Sequence, residues 1–191
     1  RPPAPPAFDA EPVKAALAEL KRIERTPAAT HRALYWELFG GTRGYALWNE
    51  TVRTKLLEHR TIYDAVAAAR ALAILNVAYH DATIACFEAK YTYWLIRPSQ
   101  LDPDLKTTFP PPSHPSYPAA HACLSTAAAT VLAKVFPRDA PRLLAMAGAC
   151  AFAYLYTPLP EHPPYLVWLT AFFITGTLRW EGIVAERAAW D

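Results

Sequence analysis

Residues 61–95 read TIYDAVAAARALAILNVAYHDATIACFEAKYTYWL, and the reading of this stretch decides the fold class. It holds no proline and no glycine, and alanine is its commonest residue. Alanine loses no side-chain entropy in a helix, so the stretch reads as one long helix, or two with a bend. Pro98 disfavours helical geometry at Arg97 and closes it. Towards the N-terminus, RPPAPPAFDAEP is too rich in proline for a helix and is expected to form an extended arm over residues 1–12. Val13, Ala16, Leu17, Leu20 and Ile23 then recur at helical spacing, with charges on the opposite face. Residues 26–30 break that pattern. HRALYWELF (31–39) predicts a short second helix ended by Gly40 and Gly41, and the next segment reads as helical from Asn49 or Glu50 onward. Towards the C-terminus, residues 101–118 form a loop in which FPPPSHPSYP alone carries five prolines. Residues 119–136 return to helix, Pro137 stops it, and Pro141 suits the first turn of the next one.

Composition narrows the function classes. The 191 residues carry 19 basic and 17 acidic side chains, a balance too even for a nucleic-acid surface. Charged residues make up 19%, too apolar a mixture for disorder. Cys86, Cys123 and Cys150 lie in apolar stretches without CxxC spacing and read as buried thiols, supporting neither a disulfide framework nor a zinc site. Arg1 in place of a starting methionine predicts a fragment or a processed product, soluble, with export open. Residues 143–178 hold a single formal charge, Glu161. Within them, Leu143–Tyr156 and Tyr165–Leu178 flank the turn TPLPEHPP, each with 14 residues. A helix of that length reaches about 21 Å at 1.5 Å per residue, short of a membrane span. The expected architecture is all-α: a helical bundle forming one domain over residues 13–191, its core in 61–191, with no membrane partner.

Four places could carry chemistry. Lys90 and Arg97 in AKYTYWLIRP are spaced close to two helical turns, so both cations are expected on one face. Two fixed positive charges suit a tetrahedral oxyanion, the guanidinium as a fork and the ammonium as a point charge. The plainer reading is a pair of cations snorkelling at a helix end. In PSHPSYPAAHA (112–122), a stiff loop delivers the chain into a helix start whose first N–H groups form a donor set, with His121 on the first turn. His162, on the turn between the two apolar stretches, is a candidate nucleophile or a surface histidine. His80 and Asp81 read as structural, and Tyr91, Tyr93 and Trp94 as packing.

These residues resemble a known family. AKYTYWLIRP is similar to the first motif of the vanadium-dependent haloperoxidase and type 2 phosphatidic acid phosphatase superfamily: a lysine, six residues, then Arg-Pro, here Lys90, Arg97 and Pro98. HPSYPAAHA resembles its second motif, usually Pro-Ser-Gly-His, and WNE at 48–50 resembles the soluble haloperoxidase-like branch. The resemblance runs over roughly residues 5–150. It implies an α-helical bundle holding one oxyanion, with Lys90, Arg97, Ala119 and Ala120 around its oxygens and His121 as general acid–base residue. In the haloperoxidases the anion is vanadate, which activates hydrogen peroxide to oxidise halide. In the phosphatases the same pocket takes a substrate phosphate, no cofactor is needed, and a third-motif histidine attacks it. The shared physics is stabilisation of a five-coordinate oxyanion by fixed cations and helix-end donors.

The chain departs from the pattern in the second and third motifs. Ala119 and Ala120 replace the second-motif serine and glycine, and Ala119 loses a hydroxyl donor of about 1.5–3 kcal/mol to a charged acceptor. If His162 is the third-motif histidine and the vanadate ligand, Tyr156 stands at the arginine position and Leu166 at the aspartate position. An ungapped register places Tyr154, Pro160 and Pro164 there instead. IVAERAAWD at the end again resembles the family's C-terminal helix. The expected function is therefore a haloperoxidase- or acid-phosphatase-like protein acting on a small oxyanion or phosphate ester. The alternatives are a non-catalytic family member using the 143–178 hairpin as an apolar-ligand or homodimer scaffold, and a membrane-associated lipid phosphatase.

Overall fold

The computed structural model describes residues 2–37 and 42–156. Seven α-helices and two single turns of 3-10 helix account for the regular structure of the described residues. The helices are α1 (Glu11–Arg22), α2 (Pro27–Glu37), α3 (Thr42–Glu58), α4 (Ala65–Tyr93), α5 (Pro98–Leu101), α6 (Ala120–Val135) and α7 (Ala140–Tyr156). No strand is present among them, and none of the described helices is long and apolar enough to cross a membrane.

The alanine-rich stretch is a single helix. Asp64 starts α4 by accepting from Val66 N at 3.1 Å and Ala67 N at 3.0 Å, satisfying donors that the first turn cannot use internally. The helix runs 29 residues and ends on Trp94, whose left-handed φ of 49° lets its N–H reach back to Lys90 O. It therefore stops three residues before the one that proline restricts. Arg97 lies outside it, extended (φ −81°, ψ 152°) as a pre-proline residue should be. Lys90 and Arg97 thus do not share one helical face, contrary to the sequence expectation.

Two other boundaries move for local reasons. Thr26 Oγ1 accepts from Ala29 N at 3.1 Å and Pro27 takes the first helical position, so α2 begins within the expected break. α3 is helical from Thr42, seven residues earlier than Asn49. There Trp48 is almost fully buried, and Asn49 exchanges side-chain hydrogen bonds with Asn76 of α4 at 3.0 Å each way. Packing between α3 and α4 outweighs the mixed local pattern.

The main core joins α3, α4, α6 and α7 through Trp48, Val52, Leu56, Leu75, Tyr79, Leu132, Phe136 and Leu143. Small residues line this core: Ala68 and Ala71 on α4, and Ala128 and Ala129 on α6. Methyl-sized side chains let the two backbones approach closely, which bulky residues would prevent. At the far end, the nearly buried Lys55 of α3 donates to Glu58 at 2.6 Å and to Asp139 at 2.8 Å, and His59 Nε2 lies 2.6 Å from the same aspartate. The N-terminal arm is extended but docked: Tyr93 Oη donates to Pro2 O at 2.5 Å and Tyr117 Oη to Pro3 O at 3.0 Å. The second half of the apolar hairpin, with Glu161, His162 and Leu166, lies outside the described residues, as does the closing IVAERAAWD.

Candidate functional site

The site is built where the end of α4 meets the proline-rich loop before α6. Five prolines stiffen residues 109–118, and the loop is stitched to the segment after α4 by Ser116 N donating to Leu95 O at 2.8 Å. Lys90, on the last turn of α4, has no exposed surface. Its Nζ donates to Pro115 O at 2.7 Å and Ser116 O at 3.0 Å. Arg97 is 2% exposed, and its Nη2 donates to His114 O at 2.8 Å. Both cations are buried, so the snorkelling reading does not hold. They come from different elements and converge on the same loop.

His114 is the residue that sequence reasoning passed over. It was visible only as one letter in a run of prolines and serines, and no local period marks it. In the fold, its Nδ1 lies 3.2 Å from Arg97 Nη2 and its ring packs edge-on against Phe87 at 5.3 Å. Nδ1 lies 3.2 Å from two groups of opposite demand: Arg97 Nη2, which can only donate to it, and Pro115 O, which can only accept from it. Burial, followed by the charge on Lys90, holds the His114 pKa below the usual histidine value.

Ala119 is the N-cap of α6, 1% exposed, and contributes no side-chain cap. Cys123 N is the first to reach back, to Ala119 O at 3.0 Å, so the N–H groups of residues 120–122 precede the intrahelical ladder. His121 sits on this turn at the positive end of the helix dipole. Burial, then Lys90, then His114 push its pKa down to about 4, leaving the ring neutral at pH 7. The Lys90 charge therefore acts on both histidines.

An open cavity of about 340 Å3 lies alongside, walled by Tyr91, Trp94, Arg97, Gln100, Pro112 and His114 among others. Lys90, Ala119, Ala120 and His121 are not part of its wall. Tyr91 and Trp94 are 50% and 64% exposed, so they line this opening and are not core packing as the sequence reading had them. Tyr93 is half-buried against Tyr117, at 5.8 Å between ring centres. Asp81 and His80 are both exposed on α4, so no buried carboxylate needs a partner there.

The donor set has a definite chemical character. No group of three or more histidine, cysteine, aspartate or glutamate side chains capable of holding a metal cation occurs among the described residues. Lysine, arginine, neutral histidine and helix-start N–H groups instead suit an anion, and an oxyanion such as vanadate or phosphate fits that chemistry. Ala119 offers no hydroxyl to it, and His162, the expected vanadate ligand, falls outside the described residues.

No family model matches the chain, and no curated protein matches it. Among solved structures, it is similar to the crystal structure of the first bacterial vanadium-dependent iodoperoxidase, with a TM-score of 0.69 and 22% identity. The match covers 94% of this chain and 52% of the other, so the chain spans about half the length of that protein. The all-α bundle described above is a haloperoxidase-like fold.

Proposed function

We propose that this chain binds a small oxyanion at the junction of α4, the proline-rich loop and α6, as a haloperoxidase- or acid-phosphatase-like protein. Lys90 and Arg97 would supply fixed charge, and the residue 120–122 N–H groups would supply oriented donors. The observation that carries this reading is the convergence of two buried cations, Lys90 and Arg97, on the loop that leads into α6. After burial itself, the Lys90 charge holds the pKa of both His114 and His121 down. An anion placed there offsets that charge and makes protonation of His121 easier. His121 would then take up a proton as the anion binds, which equips it to donate that proton to a leaving oxygen or to return it as a base. If the anion is vanadate, it supplies the activation of peroxide towards halide. If it is the phosphoryl group of a substrate, His121 would assist hydrolysis by donating to the leaving oxygen.

Calorimetric titration of orthovanadate into the intact chain, with phosphate as competitor, tests the reading. Saturable binding that phosphate displaces, weakened at least tenfold in Arg97→Ala, supports it. No heat at millimolar anion from a folded protein contradicts it. Peroxide–halide and phosphomonoester assays on the same sample then separate the two chemistries.

A second reading is favoured by the hydrogen bonds themselves: both cations donate to backbone carbonyls of the loop. On that reading Lys90 and Arg97 are clamps holding residues 114–116 in place, in a non-catalytic member of this fold. Arg97→Ala would then lower the melting temperature, and neither anion would bind to the parent chain.

A further inference from the structure

Outside the groups used above, two thiols meet between α4 and α6. Cys86 and Cys123 are each 3% exposed and share one small buried cluster with Ala120 and Leu124. The two side chains pack against each other, and the Cys86 thiol points at Pro118 O at 3.9 Å. The two thiols are therefore already neighbours across the α4–α6 seam. A disulfide between them would bring the sulfurs to about 2.0 Å. The sequence gives no hint of this pair, because Cys86 and Cys123 lie 37 positions apart without a motif. Only the packing of the two helices joins them.

We propose that Cys86 and Cys123 form a reversible dithiol–disulfide pair that links α4 to α6 when the protein meets hydrogen peroxide. Cys86 is the attacking thiol. Lys90 lies one helical turn further along the same face of α4, where its ammonium favours the thiolate. The Cys86 thiolate attacks one peroxide oxygen, the O–O bond breaks, and the departing hydroxide takes a proton to become water, leaving a sulfenic acid on Cys86. The Cys123 sulfur then attacks Cys86 Sγ and the S–O bond breaks. That hydroxide takes the Cys123 proton and leaves as a second water. Two thiols lose two electrons in all, and one peroxide is reduced to two waters.

The disulfide would also fix the first turn of α6 against α4, since Cys123 is the residue whose N–H closes that turn onto Ala119. The pair itself stands independently of the oxyanion reading, and its test involves no anion. The intact chain is reduced, freed of reductant, treated with hydrogen peroxide, then denatured and alkylated for mass analysis. Of the three thiols, one is expected to remain alkylatable, with Cys86 and Cys123 in one linked peptide about 2 Da lighter than its parts. Dithiothreitol is expected to restore all three. In Cys123→Ser, dimedone is expected to label Cys86; Cys150→Ser is expected to form the link as the parent chain does. Three alkylatable thiols after peroxide, a link through Cys150, or a link between chains would each overturn the proposal.

Discussion

Single residues set the pH response of this protein. His121 titrates near 4 in the folded chain and near the usual 6.5 when unfolded, so between those values the unfolded state binds more protons. Its contribution is complete above about pH 6.5 and is lost as pH falls. Between pH 7 and pH 4 that loss is about 3 kcal/mol, and His121→Gln should flatten the acid side of a urea-denaturation series across this window. An equally steep acid loss in the variant would assign it to other groups. Asp139 adds a lower limb. Its carboxylate is held below the ordinary range by Lys55 and then by His59, so its contribution is present above about pH 4 and fades as pH drops through the folded value. Asp139→Asn should melt lower than the parent at pH 7, with the gap closing towards pH 2. A gap that persists in acid would mean that the ion pairs are not its source.

At the scale of elements, helix ends proved harder to read than helix bodies. The alanine run of α4 announces itself, but its stop does not. The left-handed turn at Trp94 comes from the geometry of the α4 exit and carries no glycine to mark it. That stop matters, because it takes Arg97 off the helix and lets it approach Lys90 through the loop. α3 was readable only in part, since its N-terminal half is helical by virtue of Trp48 and the Asn49–Asn76 pair, which need α4 to exist. Two substitutions measure these terms. Asp64→Ala removes the only side-chain cap on α4 and should cost about 1 kcal/mol, read from the denaturant midpoint. Leu132→Ala, at a fully buried site where α6 meets α3, α4 and α7, should cost about 2–5 kcal/mol. Costs in the reverse order would mean that the four-helix core is not where the stability lies.

Across the whole molecule, the architecture places fixed positive charge and a helix start in the same region. Lys90, Arg97 and His121 were each legible in the sequence as chemistry-bearing residues, because their types and their proline-rich flanks are local features. His114 was not, since its role depends on a tertiary contact with Arg97. Nor was the Cys86–Cys123 pair, for the same reason. The most direct test of the oxyanion site is the titration of His121 itself, followed by nuclear magnetic resonance of histidine-labelled protein with and without inorganic phosphate. An oxyanion held between Lys90, Arg97 and the start of α6 predicts that saturating phosphate raises the His121 pKa from about 4 by at least one unit. Superimposable His121 titrations in the presence and absence of phosphate would contradict the account, and Lys90 and Arg97 would then be clamps for the loop.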